Sequence, residues 1–196
     1  MKIVSKTIEN DEQYLRQISQ PVSFENEEYK NDIEKLEKFC RGTELFALAA
    51  IQVGIPKRIM YFRLTNPDIE LQDNPDYNER KVIINPVVIS KKGHTKYWEA
   101  CISCLDNMGL VSRPYEITIK YFDIKGINHT ETLKGFGATV YCHEQDHFDG
   151  ILHMDIAEEI LVMAPEKRKA YRKEHPYEII SETCDYDKIA IKKLKR

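Results

Sequence analysis

The run His143-Glu144-Gln145-Asp146-His147 constrains this chain more than any other feature. Two histidines four residues apart share one face of a helix, with their side chains a turn apart. Phe136 and Val140 precede them at helical spacing, so the histidines continue an apolar stripe and point inward. Two inward imidazoles beside a carboxylate need partners. A tetrahedral metal ion satisfies both rings, and Glu144, displaced by about 100° around the helix, reaches a metal-bound water as general base. The helix is expected to run from Phe136 and to stop at Gly150. On this pattern alone the chain reads as a metal-dependent hydrolase.

The third protein ligand decides which kind, and the sequence offers two. Downstream, His153 completes H-E-x-x-H-x-x-G-x-x-H, the pattern of the metzincin endopeptidases, and Met163-Ala164-Pro165 passes for their methionine turn. Upstream, Glu99-Ala100-Cys101-Ile102-Ser103 offers the Cys101 thiolate. Cys101-x-x-Cys104 has a second reading as a redox pair or half a zinc knuckle, but no second C-x-x-C exists to complete a knuckle.

The rest of the chain bounds the fold. Its 196 residues suit a single domain whose core needs no disulfide staples. Five cysteines, an odd number without the spacing of a secreted scaffold, point to a reducing, cytoplasmic setting. No apolar run approaches a membrane span, since Leu45 to Ile55 is short and contains Gln52 and Gly54. A net charge of −3 argues against sequence-specific nucleic-acid binding.

Asn26 to Arg41 reads as an amphipathic helix, with Tyr29, Ile33, Leu36 and Cys40 on one stripe. Strands are expected at Arg58 to Phe62, at Lys81 to Ile89 with an interruption at Pro86, at Tyr115 to Asp123, and at His129 to Leu133. Thr65 to Arg80 reads as a surface loop, and Pro165 to Glu174 as a last helix. Residues 176–196 form a tail. Its end from Lys188 carries five basic residues and no acid, read as a solvated terminus or as a weak contact with the ribosome. Strands dominate the middle and a helix follows them. The expected class is α+β, antiparallel strands around a central metal-binding helix with a C-terminal helix.

Three stretches together resemble the peptide deformylases, whose motifs read roughly G-h-G-h-A-A-x-Q, E-G-C-h-S and H-E-x-D-H. Leu45 to Gln52, Glu99 to Ser103 and His143 to His147 match them in order, within a resemblance spanning about residues 7 to 165. The resemblance implies one divalent metal held by Cys101, His143 and His147, with Fe(II) the expected ion and Zn, Ni or Co suited to the same donors. It implies hydrolysis of the N-formyl group from nascent N-formylmethionyl peptides, releasing formate. Glu144 would move the proton, while the Gln52 amide and the Ile102 N–H would steady the oxyanion. Glu99 and Arg113 would brace the ligand loop, and Asp146 would orient a histidine. Phe46, Val140 and Tyr141 would line the methionine pocket. Leu45 and Ala47 replace both glycines of the first motif and Ala100 the glycine of the second, which alters the groove where substrate would lie. That change keeps a rival reading alive, a deformylase-like protein that binds or slowly hydrolyses other N-acylated peptides.

Overall fold

The computed structural model describes residues 1–5, 9–41, 43, 45–63 and 80–188. The expected loop at 65–79 and the basic tail beyond Lys188 lie outside them. Among the described residues no helix is long and apolar enough to cross a membrane.

Two helices, α1 (Glu9–Leu15) and α2 (Glu28–Arg41), precede a short strand β1 (Ala47–Ala49) and a 3-10 turn at Ala50–Val53. The strands β2 (Ile59–Arg63), β3 (Arg80–Lys92), β4 (His94–Ala100), β5 (Asn107–Arg113), β6 (Glu116–Phe122) and β7 (Asn128–Lys134) follow. Then come α3 (Gly135–Phe148), α4 (His153–Ile156), β8 (Glu159–Val162), α5 (Pro165–Glu174) and β9 (Glu178–Ser181). All pairings within the two sheets are antiparallel: one sheet runs β1-β2-β3-β6-β7, the other β8-β5-β4-β9. The α+β class expected from the sequence is the class observed.

The larger sheet is covered on both faces, and β2 records this in its sequence. Met60 and Phe62 pack towards α3, among Ile83, Ile117, Ile119, Ala138, Tyr141 and Phe148. Ile59 and Tyr61 pack towards α2, whose Tyr29, Ile33, Leu36 and Cys40 form the expected stripe. A strand buried on both sides reads as an unbroken apolar run, whereas β6, half exposed, alternates. Each large apolar side chain buried this way contributes about 1.5–3 kcal/mol.

The expected interruption at Pro86 is a bulge instead. β3 continues to Lys92, with register shifts between Ile84 and Val87 and again between Val88 and Ser90. Pro86 has no N–H to give to a ladder, and Asn85 before it adopts φ +48°, a conformation asparagine tolerates. The Asn85 amide is held at both ends, accepting from Val22 N–H at 2.8 Å and donating to Val22 O at 2.9 Å.

Helix α3 ends as the sequence foretells, with Asp149 as its cap and Gly150 at φ +70°. A Cβ on Gly150 would lie 2.3 Å from the Arg16 carbonyl oxygen. Gly150→Ala therefore combines a left-handed backbone with a backbone clash, and should cost about 2 kcal/mol. Urea unfolding reads this directly; an unchanged midpoint would mean that the Arg16 segment moves aside freely.

Candidate metal centre and active site

Helix α3 sets His143 and His147 one turn apart, with ring centroids 5.1 Å from each other. Strand β4 delivers the third donor. Cys101 leaves its end in an extended conformation, φ −125° and ψ 138°, and opens a 3-10 turn, Ile102–Cys104. The Cys101 Sγ lies 3.3 Å from His147 Nε2. One ligand atom from each of Cys101, His143 and His147 falls within 4.8 Å of the other two, and all three residues are buried.

The ring nitrogens are sorted by their neighbours. His143 Nδ1 is bonded to Glu99 Oε2 at 2.8 Å, which leaves Nε2 for the centre. Burial acts to lower the His143 value, but the hydrogen bond and charge of Glu99 outweigh it and the net shift is upward. Burial drives His147 well below the usual imidazole range and keeps the ring neutral, the form that binds metal. One thiol and two imidazoles, buried and convergent, fit a divalent transition-metal ion.

Behind the donors lies a buried charge network. Arg113 donates from Nε to Glu99 Oε1 at 2.8 Å and from Nη2 to Glu99 Oε2 at 3.0 Å. Its Nη1 donates to Asp146 Oδ2 at 2.6 Å. Burial alone would raise the Glu99 carboxyl, yet Arg113 and His143 hold it well below the ordinary carboxylate range. The expectation that Asp146 orients a histidine is corrected here: Glu99 holds His143, and the short Asp146 side chain meets Arg113. A guanidinium with five donors in a fork serves both carboxylates at once.

Glu144 and Gln52 converge on one backbone amide. The Ala49 N–H donates to Glu144 Oε2 at 2.7 Å and to Gln52 Oε1 at 3.0 Å. Gln52 Nε2 in turn donates to Cys101 Sγ at 3.3 Å and Ser103 Oγ at 3.1 Å. Burial raises the Glu144 carboxyl above its ordinary value, against the pull of His143 and the Ala49 N–H. The Ile102 N–H opens its 3-10 turn and so has no acceptor within it.

These groups share a cavity of about 950 Å³. Leu45, Phe46, Ala47, Ala100, Ile102 and Val140 line it with Gln52, Glu99, Cys101, His143 and Glu144. Neither Ala47 nor Ala100 has positive φ, so these two lost glycines bring no backbone strain, only side chains on the groove wall. Tyr141 differs from expectation: it is fully buried in the core against Phe62, because its helical position faces the sheet. His153 is buried at the start of α4, its ring 5.5 Å from that of His143 and outside the convergent set. Cys104 adjoins Cys101.

Several contributors escape a reading of the sequence. Phe136 is ringed by Phe46 at 6.0 Å, Tyr97 at 5.3 Å and Tyr177 at 6.0 Å, an apolar wall drawn from four parts of the chain. Helix α5 brings Arg168 and Arg172 to the same cavity. Four of its five basic residues, Arg168, Lys169, Arg172 and Lys173, recur on one helical face, the one signal available beforehand.

The family described as polypeptide deformylase matches residues 4–161, a span that stops short of α5 and β9. A peptide deformylase of Erythrobacter litoralis is 32% identical over 173 residues, 78% of this chain and 88% of its own length. One from Pelagibacter ubique is 33% identical over 142 residues, 72% of this chain and 78% of its own. Among solved structures, the peptide deformylase of Thermotoga maritima is similar with a TM-score of 0.67 at 26% identity, over 81% of this chain and 97% of that one. That of Plasmodium falciparum is similar with a TM-score of 0.64 at 27% identity, over 88% and 91%.

Proposed function

The chain belongs to the polypeptide deformylase family, and on that premise we propose that Cys101, His143 and His147 hold one divalent metal ion and that Glu144 carries the proton in its reaction. That reaction is the removal of the N-formyl group from newly made polypeptides. The observation that carries the residue assignment is the convergence of one thiol and two imidazoles within 4.8 Å, in a cavity that Glu144 also lines.

When bound, the cation supplies Lewis acidity toward the formyl oxygen and toward water. The chain's own residues do the rest. Glu144, fixed by the Ala49 N–H, takes a proton from water as the oxygen attacks the formyl carbon. The Ile102 N–H, and the Gln52 amide once it gives up one of its bonds to Cys101 Sγ and Ser103 Oγ, donate to the oxygen on which charge develops, each such donor being worth about 3 kcal/mol. Glu144 then returns the proton to the amine as the C–N bond breaks, giving formate and a free N-terminus. Glu99 keeps His143 in the tautomer that turns Nε2 to the ion, and Arg113 keeps Glu99 in place. The aromatic wall around Phe136 takes the methionine side chain.

The donor set and the family resemblance support Fe(II) as the ion in the cell, with Zn, Ni or Co able to use the same donors. Five unpaired thiols suit a cytoplasmic setting, and the chain is read as one domain. The basic residues from Lys188 onward support a weak contact with the ribosome.

Formate release from formyl-Met-Ala-Ser, assayed anaerobically with iron restored, tests the activity. Metal analysis tests the ligands. Cys101→Ala is expected to lose the ion and His153→Ala to keep it. The opposite pattern, with cleavage of internal peptide bonds, would replace this assignment by an endopeptidase.

A further inference from the structure

Four cations on α5 share the cavity with the metal centre. Arg168, Lys169, Arg172 and Lys173 fall on one side of the helix and line the wall beside the Cys101 loop. Among the described residues, no carboxylate lies within ion-pair distance of any of them. The cavity's own acids are otherwise engaged: Glu99 is neutralised by Arg113, and Glu144 faces the Ala49 N–H.

The two arginines are fixed. Arg172 donates from Nε and Nη2 to the Trp98 carbonyl at 3.0 and 2.8 Å, with its guanidinium 5.0 Å from the Tyr97 ring centre. Arg168 donates from Nε to the Met163 carbonyl at 3.2 Å and from Nη2 to the Leu105 carbonyl. Carbonyls satisfy N–H donors but do not neutralise charge. Burial and then the repulsion of Arg172 lower the Arg168 guanidinium, outweighing the opposite pull of the Asp106 charge, which makes no ion pair with it. Trp98 and Leu105 bracket Cys101 in the sequence, so both charges are anchored on either side of the loop that carries the thiol. Lys169 and Lys173 are exposed next to them and can reach outward.

We propose that this wall selects formylmethionyl peptides that carry Asp or Glu within the first few residues after methionine. The inference rests on the deformylase reading of the site. The formyl group must meet Glu144 and the three donors, and the aromatic wall around Phe136 takes the methionine. The chain that follows then leaves along the remaining wall. Each extended residue advances about 3.3 Å, so carboxylates two or three residues on come within reach of the guanidiniums and ammoniums. Carboxylates meeting guanidiniums form charge-assisted, often bidentate bonds, stronger than those an amide can make.

The test compares kcat/KM of the metal-loaded enzyme for formyl-Met-Asp-Glu, formyl-Met-Asn-Gln and formyl-Met-Lys-Lys, read as formate. The acidic peptide is expected to exceed its amide isostere by about tenfold, mainly through KM, with the lysine peptide lowest. That gap should narrow as salt rises from about 20 to about 500 mM. Lys169→Glu/Lys173→Glu should reverse the order of the acidic and lysine peptides. Equal kcat/KM for the acidic and amide peptides, with formate released from both, overturns the selection while leaving the deformylase reading intact. An acidic preference that the double variant leaves untouched overturns its assignment to α5. Formate from none of the three peptides would instead remove the reading on which the inference rests.

Discussion

Glu144→Gln should keep one metal ion per chain and lower kcat by about 10²- to 10⁴-fold. The substitution preserves shape, and the glutamine oxygen can still accept from the Ala49 N–H that holds Glu144 at 2.7 Å. It removes one capacity, that of taking a proton from water and passing it to the departing nitrogen. Glu144 is buried and its carboxyl is raised above the ordinary value, both features of a group suited to receiving a proton near neutrality. Substrate binding relies on the aromatic wall and should survive, so KM for formyl-Met-Ala-Ser should change little. Elemental analysis and formate assays on the same preparation separate the two effects. Wild-type kcat in a metal-loaded variant would rule out Glu144 as the proton carrier.

Arg113→Met should destabilise the fold by about 3–5 kcal/mol. Arg113 is 5% exposed and Glu99 4%, and together with Asp146 they form an ion network almost shut off from water. Removing the guanidinium leaves two carboxylates behind α3, at least one of them deeply buried with no cation. Glu99 would then lose the partner that aims it at His143, so metal affinity should also drop by about 10- to 100-fold. Urea titration with and without a chelator measures both quantities. Adding Glu99→Gln should recover part of the stability, since it removes one stranded charge; no loss in the single variant would contradict the burial of the network.

How much of this was legible follows from which interactions are local. The helix that bears the two histidines was readable because Phe136, Val140, His143 and His147 repeat at helical spacing. β6 was readable because Ile117, Ile119 and Tyr121 alternate with polar residues. β4 went unread because its buried positions include Thr95 and Glu99, polar residues whose partners, Arg113 and His143 among them, lie on other elements. β8 and β9 are four-residue edge strands with mostly exposed side chains, so no apolar period announces them. Asp146 was placed correctly on α3 but given the wrong partner, because its bond to Arg113 spans 33 residues. The glycine replacements at Ala47 and Ala100 looked more disruptive in sequence than they are in space, since neither occupies a left-handed position.

The bridges from Arg168 and Arg172 to backbone carbonyls on either side of Cys101 divide labour along the chain. Every proposed donor to the metal, and the proposed proton carrier with them, lies before residue 150, whereas these bridges originate in a helix that begins at Pro165. Under the proposals made above, breaking the bond and sorting charge beyond methionine thus fall to separate stretches. Substitutions in the terminal stretch should then retune which nascent chains are processed while the bond-breaking apparatus stays intact.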